Sequence, residues 1–104
     1  MTTIIELPIN LDHEEIAAFC RARGIRRLSL FGSVLRDDFD PDRSDVDVLA
    51  EFKPGALKGV GFRYMRYGED LAKILGRNVD FCSRLNPYLE HRVKQEAVPI
   101  YEQA

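Results

Sequence analysis

No apolar run in this chain approaches the length that crosses a bilayer. The start, Met1-Thr2-Thr3-Ile4-Ile5-Glu6, has neither the basic region nor the long apolar stretch of a secretory signal. Cysteine is scarce: Cys20 and Cys82 are the only two, too few for a disulfide framework. Together these absences predict a cytoplasmic protein whose two thiols are reduced, buried and structural. Basic charge is not in surplus either. Fifteen Lys and Arg stand against seventeen Asp and Glu, a net charge of −2, which argues against a scaffold for stable nucleic-acid binding. Small nucleotides stay open, because metal ions can neutralise their phosphates. Internal repeats, low-complexity segments and linkers are absent as well.

What is present is an ordinary globular composition, 45% hydrophobic and 31% charged, in 104 residues. That length predicts one domain spanning 1–104, with a core of its own and little room for a second substrate-binding unit. Asp12 is a candidate helix N-cap with Glu15 three residues on, Ile16, Phe19 and Cys20 follow at helical spacing, and Gly24 closes the helix. A strand is expected over 26–31, broken by Gly32-Ser33, with a short helical turn beginning at 34–36 and an acidic loop over 37–44. A second strand covers 45–52, with Val46, Val48, Ala50 and Phe52 on one face and Asp45, Asp47, Leu49 and Glu51 on the other. A helix is expected from about Gly59 to Leu75, weakened by Gly68 and ended by Gly76. A third strand covers 78–82, Asn86-Pro87 opens the last helix, and 99–102 forms a short edge strand. This alternation predicts an α+β fold: a small mixed sheet with helices packed mainly on one face.

Three places in this frame carry chemistry. Gly32-Ser33 sits where a strand gives way to a helical turn. Glycine lets the backbone approach a phosphate, free N–H groups favour an anion, and Ser33 adds a hydroxyl. The plain alternative is a strand-to-helix turn with a serine cap. Asp45 and Asp47 alternate on one strand face, and two close carboxylates repel unless a cation lies between them. Mg²⁺ suits such a pair, since it prefers oxygen ligands and keeps positions for water and phosphate. The alternative is an exposed acidic strand start. Asp80 interrupts the apolar strand Val79-Asp80-Phe81, which points to a metal ligand or else to an edge position or an arginine partner. His13 and His91 have no spaced ligand partner, so no zinc site is expected. Phe62, Tyr64 and Tyr67 read as core packing rather than base stacking. Arg63, Arg66, Lys73 and Arg77 read as a solvated helix surface more than a binding face.

The runs Leu30-Phe31-Gly32-Ser33-Val34-Leu35-Arg36 and Ser44-Asp45-Val46-Asp47-Val48-Leu49-Ala50-Glu51-Phe52 resemble the signature of the minimal nucleotidyltransferases, a branch of the DNA polymerase beta-like superfamily. The resemblance covers most of the chain. It departs in the loop between Ser33 and Asp45, which is a residue longer than the common form and carries Asp37-Asp38 in place of a small or Gly-Glu pair. The resemblance implies that Gly32 and Ser33 hold a nucleoside triphosphate, with Arg36 and Ser44 alongside. Arg36 is equally suited to pairing with Asp37, Asp38 or Asp40. It further implies that Asp45 and Asp47 bind two Mg²⁺ ions, and that Asp80 binds the one nearer the attacking hydroxyl and helps deprotonate it.

Minimal members resemble the antitoxin half of a two-gene pair whose other half is a small helical HEPN-domain ribonuclease toxin. The resemblance therefore implies a cytoplasmic enzyme that moves AMP from ATP to a tyrosine hydroxyl of that toxin and silences it. A hetero-oligomer with the toxin is expected. Two other readings compete: an antitoxin that masks the toxin without chemistry, and a nucleotidyltransferase acting on a small molecule or an RNA end. Relatives of the last kind carry extra domains that hold the acceptor.

Overall fold

The computed structural model describes residues 11–32 and 45–103. Among them the chain forms helix α1 (His13–Arg23), strands β1 (Ile25–Phe31) and β2 (Val46–Phe52), helix α2 (Met65–Leu75), strand β3 (Val79–Cys82), helix α3 (Pro87–Glu96) and strand β4 (Val98–Glu102). The four strands make one mixed sheet in the order β3-β2-β1-β4. The pairings of β1 with β2 and with β4 are antiparallel, and β2 pairs with β3 in parallel across the α2 crossover. This is the α+β architecture the alternation predicts, with β4 on the edge.

Local chemistry sets the boundaries. The Asp12 side chain accepts from the Glu15 N–H at 3.1 Å, which satisfies one of the free donors of the first turn of α1. Gly24 ends the helix in the left-handed region, at φ 71°, and its N–H returns to the Cys20 carbonyl. Asn86 caps α3 through the Tyr88 N–H, with Pro87 in the first turn. Gly76 ends α2, again left-handed.

The core lies between one sheet face and the helices α1 and α2. Ile16, Phe19 and Cys20 of α1 meet Leu28 and Leu30 of β1, Val46, Val48 and Ala50 of β2, and Leu71 and Leu75 of α2. Arg23 ties the two helices together: its guanidinium stacks 4.1 Å from the Phe19 ring centre and bonds Asp70 at 2.8 Å. At the edge of the core Phe52, Tyr64, Tyr67 and Phe81 form an aromatic cluster with ring centres 5.7–6.4 Å apart. The other sheet face meets α3, where Lys94 reaches Glu51 at 3.8 Å. Two helices thus pack on one face, while α3, none of whose residues is buried, reaches the other through Lys94.

Three expectations are corrected here. The helix read from Gly59 begins at Met65; a 3₁₀ turn, Gly61–Tyr64, precedes it, and Gly55, Gly59 and Gly61 all take positive φ. Those glycines interrupt the α geometry that the apolar spacing suggested. Phe62, rotated off the helical stripe by the tighter turn, is 89% exposed rather than part of the core. Cys82 is only half-buried, whereas Cys20 is fully buried; both are free thiols. Gly68, which weakens α2 on propensity, has a packing reason: a Cβ there would lie 3.1 Å from the Cβ of Phe81, so the glycine lets α2 close onto β3.

Candidate functional site

The alternation of β2 sends Val46, Val48 and Ala50 into the core and leaves Asp47, Leu49 and Glu51 on the opposite face. Register then decides what meets them. Asp47 pairs with Phe31 of β1 on one side and with Asp80 of β3 on the other. The Val46 N–H bonds the Asn78 carbonyl at 3.0 Å, which pins the start of β3 to the start of β2. Two carboxylates, distant in sequence, are thereby opposed on neighbouring strands. Asp45 directly precedes β2 and is exposed.

Gly32 follows β1 with φ +75°, a conformation that disfavours any residue with a side chain. A Cβ at this position would run into the Asp47 carboxylate Oδ2. The backbone after β1 therefore lies directly against that carboxylate, in a conformation that favours glycine. Across the sheet the order is Gly32 turn, Asp47, Asp80. Ser33, Arg36 and Ser44, also expected at the nucleotide, lie outside the described residues.

Cys82 is a neighbour the sequence reading did not include. Its Sγ lies 3.9 Å from Asp80 Oδ1, and its thiol is pushed up from the ordinary value, first by burial and then by the negative charges of Asp80 and Asp47. The signal was available: residues 80 and 82 share a face of a strand.

The donor chemistry fits a hard cation. Asp47 and Asp80 present only oxygen, and Mg²⁺ is characteristically held by one or two carboxylates together with substrate phosphates. Among the described residues no three His, Cys, Asp or Glu side chains converge on one point, so Asp45 does not close a protein-only cage with the other two. An ion here would need oxygen atoms from its substrate. His13 and His91 are both exposed and join no such group.

Further along the same face the surroundings change. Glu51 lies 3.6 Å from Arg27, 3.8 Å from Lys94 and 3.9 Å from Arg26. A register irregularity between Ile25 and Arg27 brings both arginines to one carboxylate.

The sequence matches the family profile of the nucleotidyltransferase domain over residues 13–99. Among solved structures, one assigned as a minimal nucleotidyltransferase is similar with a TM-score of 0.66 and 32% identity, over 84% of this chain and 87% of that one. A crystal structure of a toxin–antitoxin with AMP-PNP is similar with a TM-score of 0.67 and 18% identity, over 89% and 75%. A mutant toxin–antitoxin complex, MntA-HpeT, gives 0.62 and 16% over the same shares. At these lower identities the likeness is one of fold. No curated protein matches the chain.

Proposed function

Since the chain belongs to the nucleotidyltransferase domain family, we propose that it is a single-domain enzyme that moves AMP from ATP to a hydroxyl of a partner toxin and so acts as its antitoxin. The observation that carries this reading is the opposition of Asp47 and Asp80 beside a left-handed glycine turn set against the Asp47 carboxylate. The toxin–antitoxin structures of the same fold, one with AMP-PNP, support the nucleotide and the kind of partner. A tyrosine of a HEPN-domain ribonuclease is the acceptor the sequence resemblance implies. Reaction in the cytoplasm belongs to the same reading, and no helix among the described residues is long and apolar enough to cross a membrane.

In this mechanism the phosphates lie on the β1 side of Asp47, against the backbone of Gly32, and Ser33, Arg36 and Ser44 are the further residues that the family resemblance assigns to them. The acceptor approaches from the β3 side. Its oxygen forms a bond to the α-phosphorus while the bond between that phosphorus and the β-phosphate oxygen breaks, and pyrophosphate leaves. Asp80 takes up the hydroxyl proton. Asp45, Asp47 and Asp80 are the residues that would hold Mg²⁺, which when bound lowers the pKa of an attacking hydroxyl and offsets the charge of the leaving group. The protein's own contribution is positioning and preorganised charge. β2 is an interior strand of the sheet, so Asp47 is fixed by hydrogen bonding on both sides.

The test is incubation with α-labelled ATP, Mg²⁺ and the protein encoded beside it, followed by intact mass. The partner is expected to gain one or more AMP units, and the gain to disappear in Asp45→Asn/Asp47→Asn. A tight complex with no mass gain would instead establish masking without chemistry.

A further inference from the structure

From Lys53 to Gly68 the chain carries four cations, Lys53, Lys58, Arg63 and Arg66, and no acidic residue, although the whole chain has a net charge of −2. The same stretch carries the most exposed apolar side chains of α2 and the turn before it: Phe62 is 89% and Met65 73% exposed. Neither exposure follows from the fold, since the core is completed by Leu71 and Leu75 further along. Beside this stretch runs a cleft of about 340 Å³ lined by Leu57, Val60, Gly61, Tyr64, Ser83 and Arg84. Its two walls are fastened to each other by the Tyr64 and Ser83 hydroxyls, 2.6 Å apart. One wall is the 3₁₀ turn. The other is the connection from β3 to α3, which leaves the strand that carries Asp80.

The neighbouring cavity shares Ser83 and Arg84 with this cleft but adds two carboxylates and a lysine. There, Glu51 and Glu90 are both held by Lys94, at 3.8 and 3.0 Å. Arg84 lines the cleft and forms no ion pair within the described residues; on the adjoining stretch of chain Lys58 and Arg66 form none either, and Arg63 bonds only the carbonyls of Gly59 and Val60. A partly apolar cleft with an unpaired arginine in its lining, flanked by a stretch of chain that carries cations and no acid, is complementary to a segment that alternates acidic and apolar side chains.

We infer that the cleft between the 3₁₀ turn Gly61–Tyr64 and the β3–α3 connection docks an acidic, apolar segment of the partner protein that carries the acceptor hydroxyl. This rests on the reading of the chain as a transferase with a protein acceptor. A segment seated there runs along Ser83 and Arg84 toward β3 and brings its neighbouring hydroxyl to the Asp80 side of the site. Phe62 and Met65 supply apolar anchors, while Arg66 and Arg84 fix direction and exclude basic segments.

The test uses a fluorescently labelled short peptide alternating glutamate with leucine and phenylalanine, and two controls: the same peptide with lysine for glutamate, and with serine for the apolar residues. Binding to the full chain is read by anisotropy and mapped by amide chemical shifts. The acidic apolar peptide is expected to bind at least about tenfold tighter than either control, with shifts centred on 57–65 and 83–84. Phe62→Ser and Arg66→Glu, at exposed positions, are each expected to weaken it by about tenfold with melting unchanged. Equal binding of all three peptides, shifts elsewhere, or indifference to both substitutions would overturn the inference. So would preferential binding of phosphatidylserine vesicles or of a single-stranded RNA that the peptide fails to displace. The measurement needs neither ATP nor Mg²⁺, so an inert nucleotide site leaves it standing, and its failure leaves AMP transfer to be judged by mass.

Discussion

Glu51 and Asp47 stand four residues apart on one face of β2, and the strands beside them bring them different neighbours. Glu51 has Arg26, Arg27 and Lys94 within 3.9 Å, a carboxylate settled by the protein's own cations. Asp47 has another carboxylate, Asp80, as its register partner, and a glycine turn pressed against it. Like charges side by side on neighbouring strands repel, which a bound cation would relieve. The strand thus carries a carboxylate ion-paired to three cations and, four residues away, one set against a second carboxylate, the one we propose takes part in transfer, although both are acidic residues at strand-alternating positions in the sequence.

The largest effect should come from neutralising the Asp47 end. Asp45→Asn/Asp47→Asn is expected to reduce AMP transfer by at least about a thousandfold, since the proposed mechanism relies chiefly on charge placed at the reacting phosphate. Circular dichroism and the melting temperature should stay close to the parent. Retained transfer would remove the distinction between the two ends. Gly32→Ala comes next. The new methyl meets the Asp47 carboxylate and the backbone is left-handed there, so transfer should fall by about a hundredfold, with a stability loss of about 1–2 kcal/mol in urea titration.

Alkaline stability should depend on neither end. Cys20, fully buried in α1, has its thiol pushed up to about 12 from 9.0, chiefly by burial. The unfolded chain therefore loses this proton first. The contribution is intact below about pH 9 and is lost as pH rises toward 12, by about 1.4 kcal/mol per pH unit inside that window. Comparing urea midpoints of the parent and Cys20→Ala across that window isolates it: the parent's should fall more steeply. The smallest effect belongs to Glu51→Gln. Partly solvated ion pairs contribute little, so the stability change should stay below about 1 kcal/mol and transfer within about twofold. A loss of transfer comparable to that of the Asp47 variant would make the two ends equivalent.

Much of this arrangement was legible in the sequence. Asp12, Gly24, Asn86 and Pro87 mark helix ends through chemistry that acts within a few residues. The alternation of Val46, Val48 and Ala50 places Asp47 on the opposite face whatever the sheet does. The opposition of Asp47 and Asp80 was a matter of register, and the family resemblance, not spacing, supplied it. Illegible were features that depend on approach between distant segments: Gly68 under Phe81, two arginines converging on Glu51 through a register irregularity, and Cys82 beside the carboxylates. The segment before α2 was misread because apolar spacing outweighed three closely placed glycines, and Phe62 was assigned to the core for the same reason.

The two opposed carboxylates also differ in how long they stay where they are. β2 is hydrogen-bonded on both sides, whereas β3 is four residues long and is the outermost strand. Amides of an outer strand exchange through small local openings, while those of an interior strand wait for larger ones. Asp47 is therefore a standing fixture, and Asp80 is present only as often as β3 is seated. A ligand that bridges the pair holds the strand down, so slower deuterium uptake at the Cys82 amide, which the parallel register turns toward β2, would report occupancy.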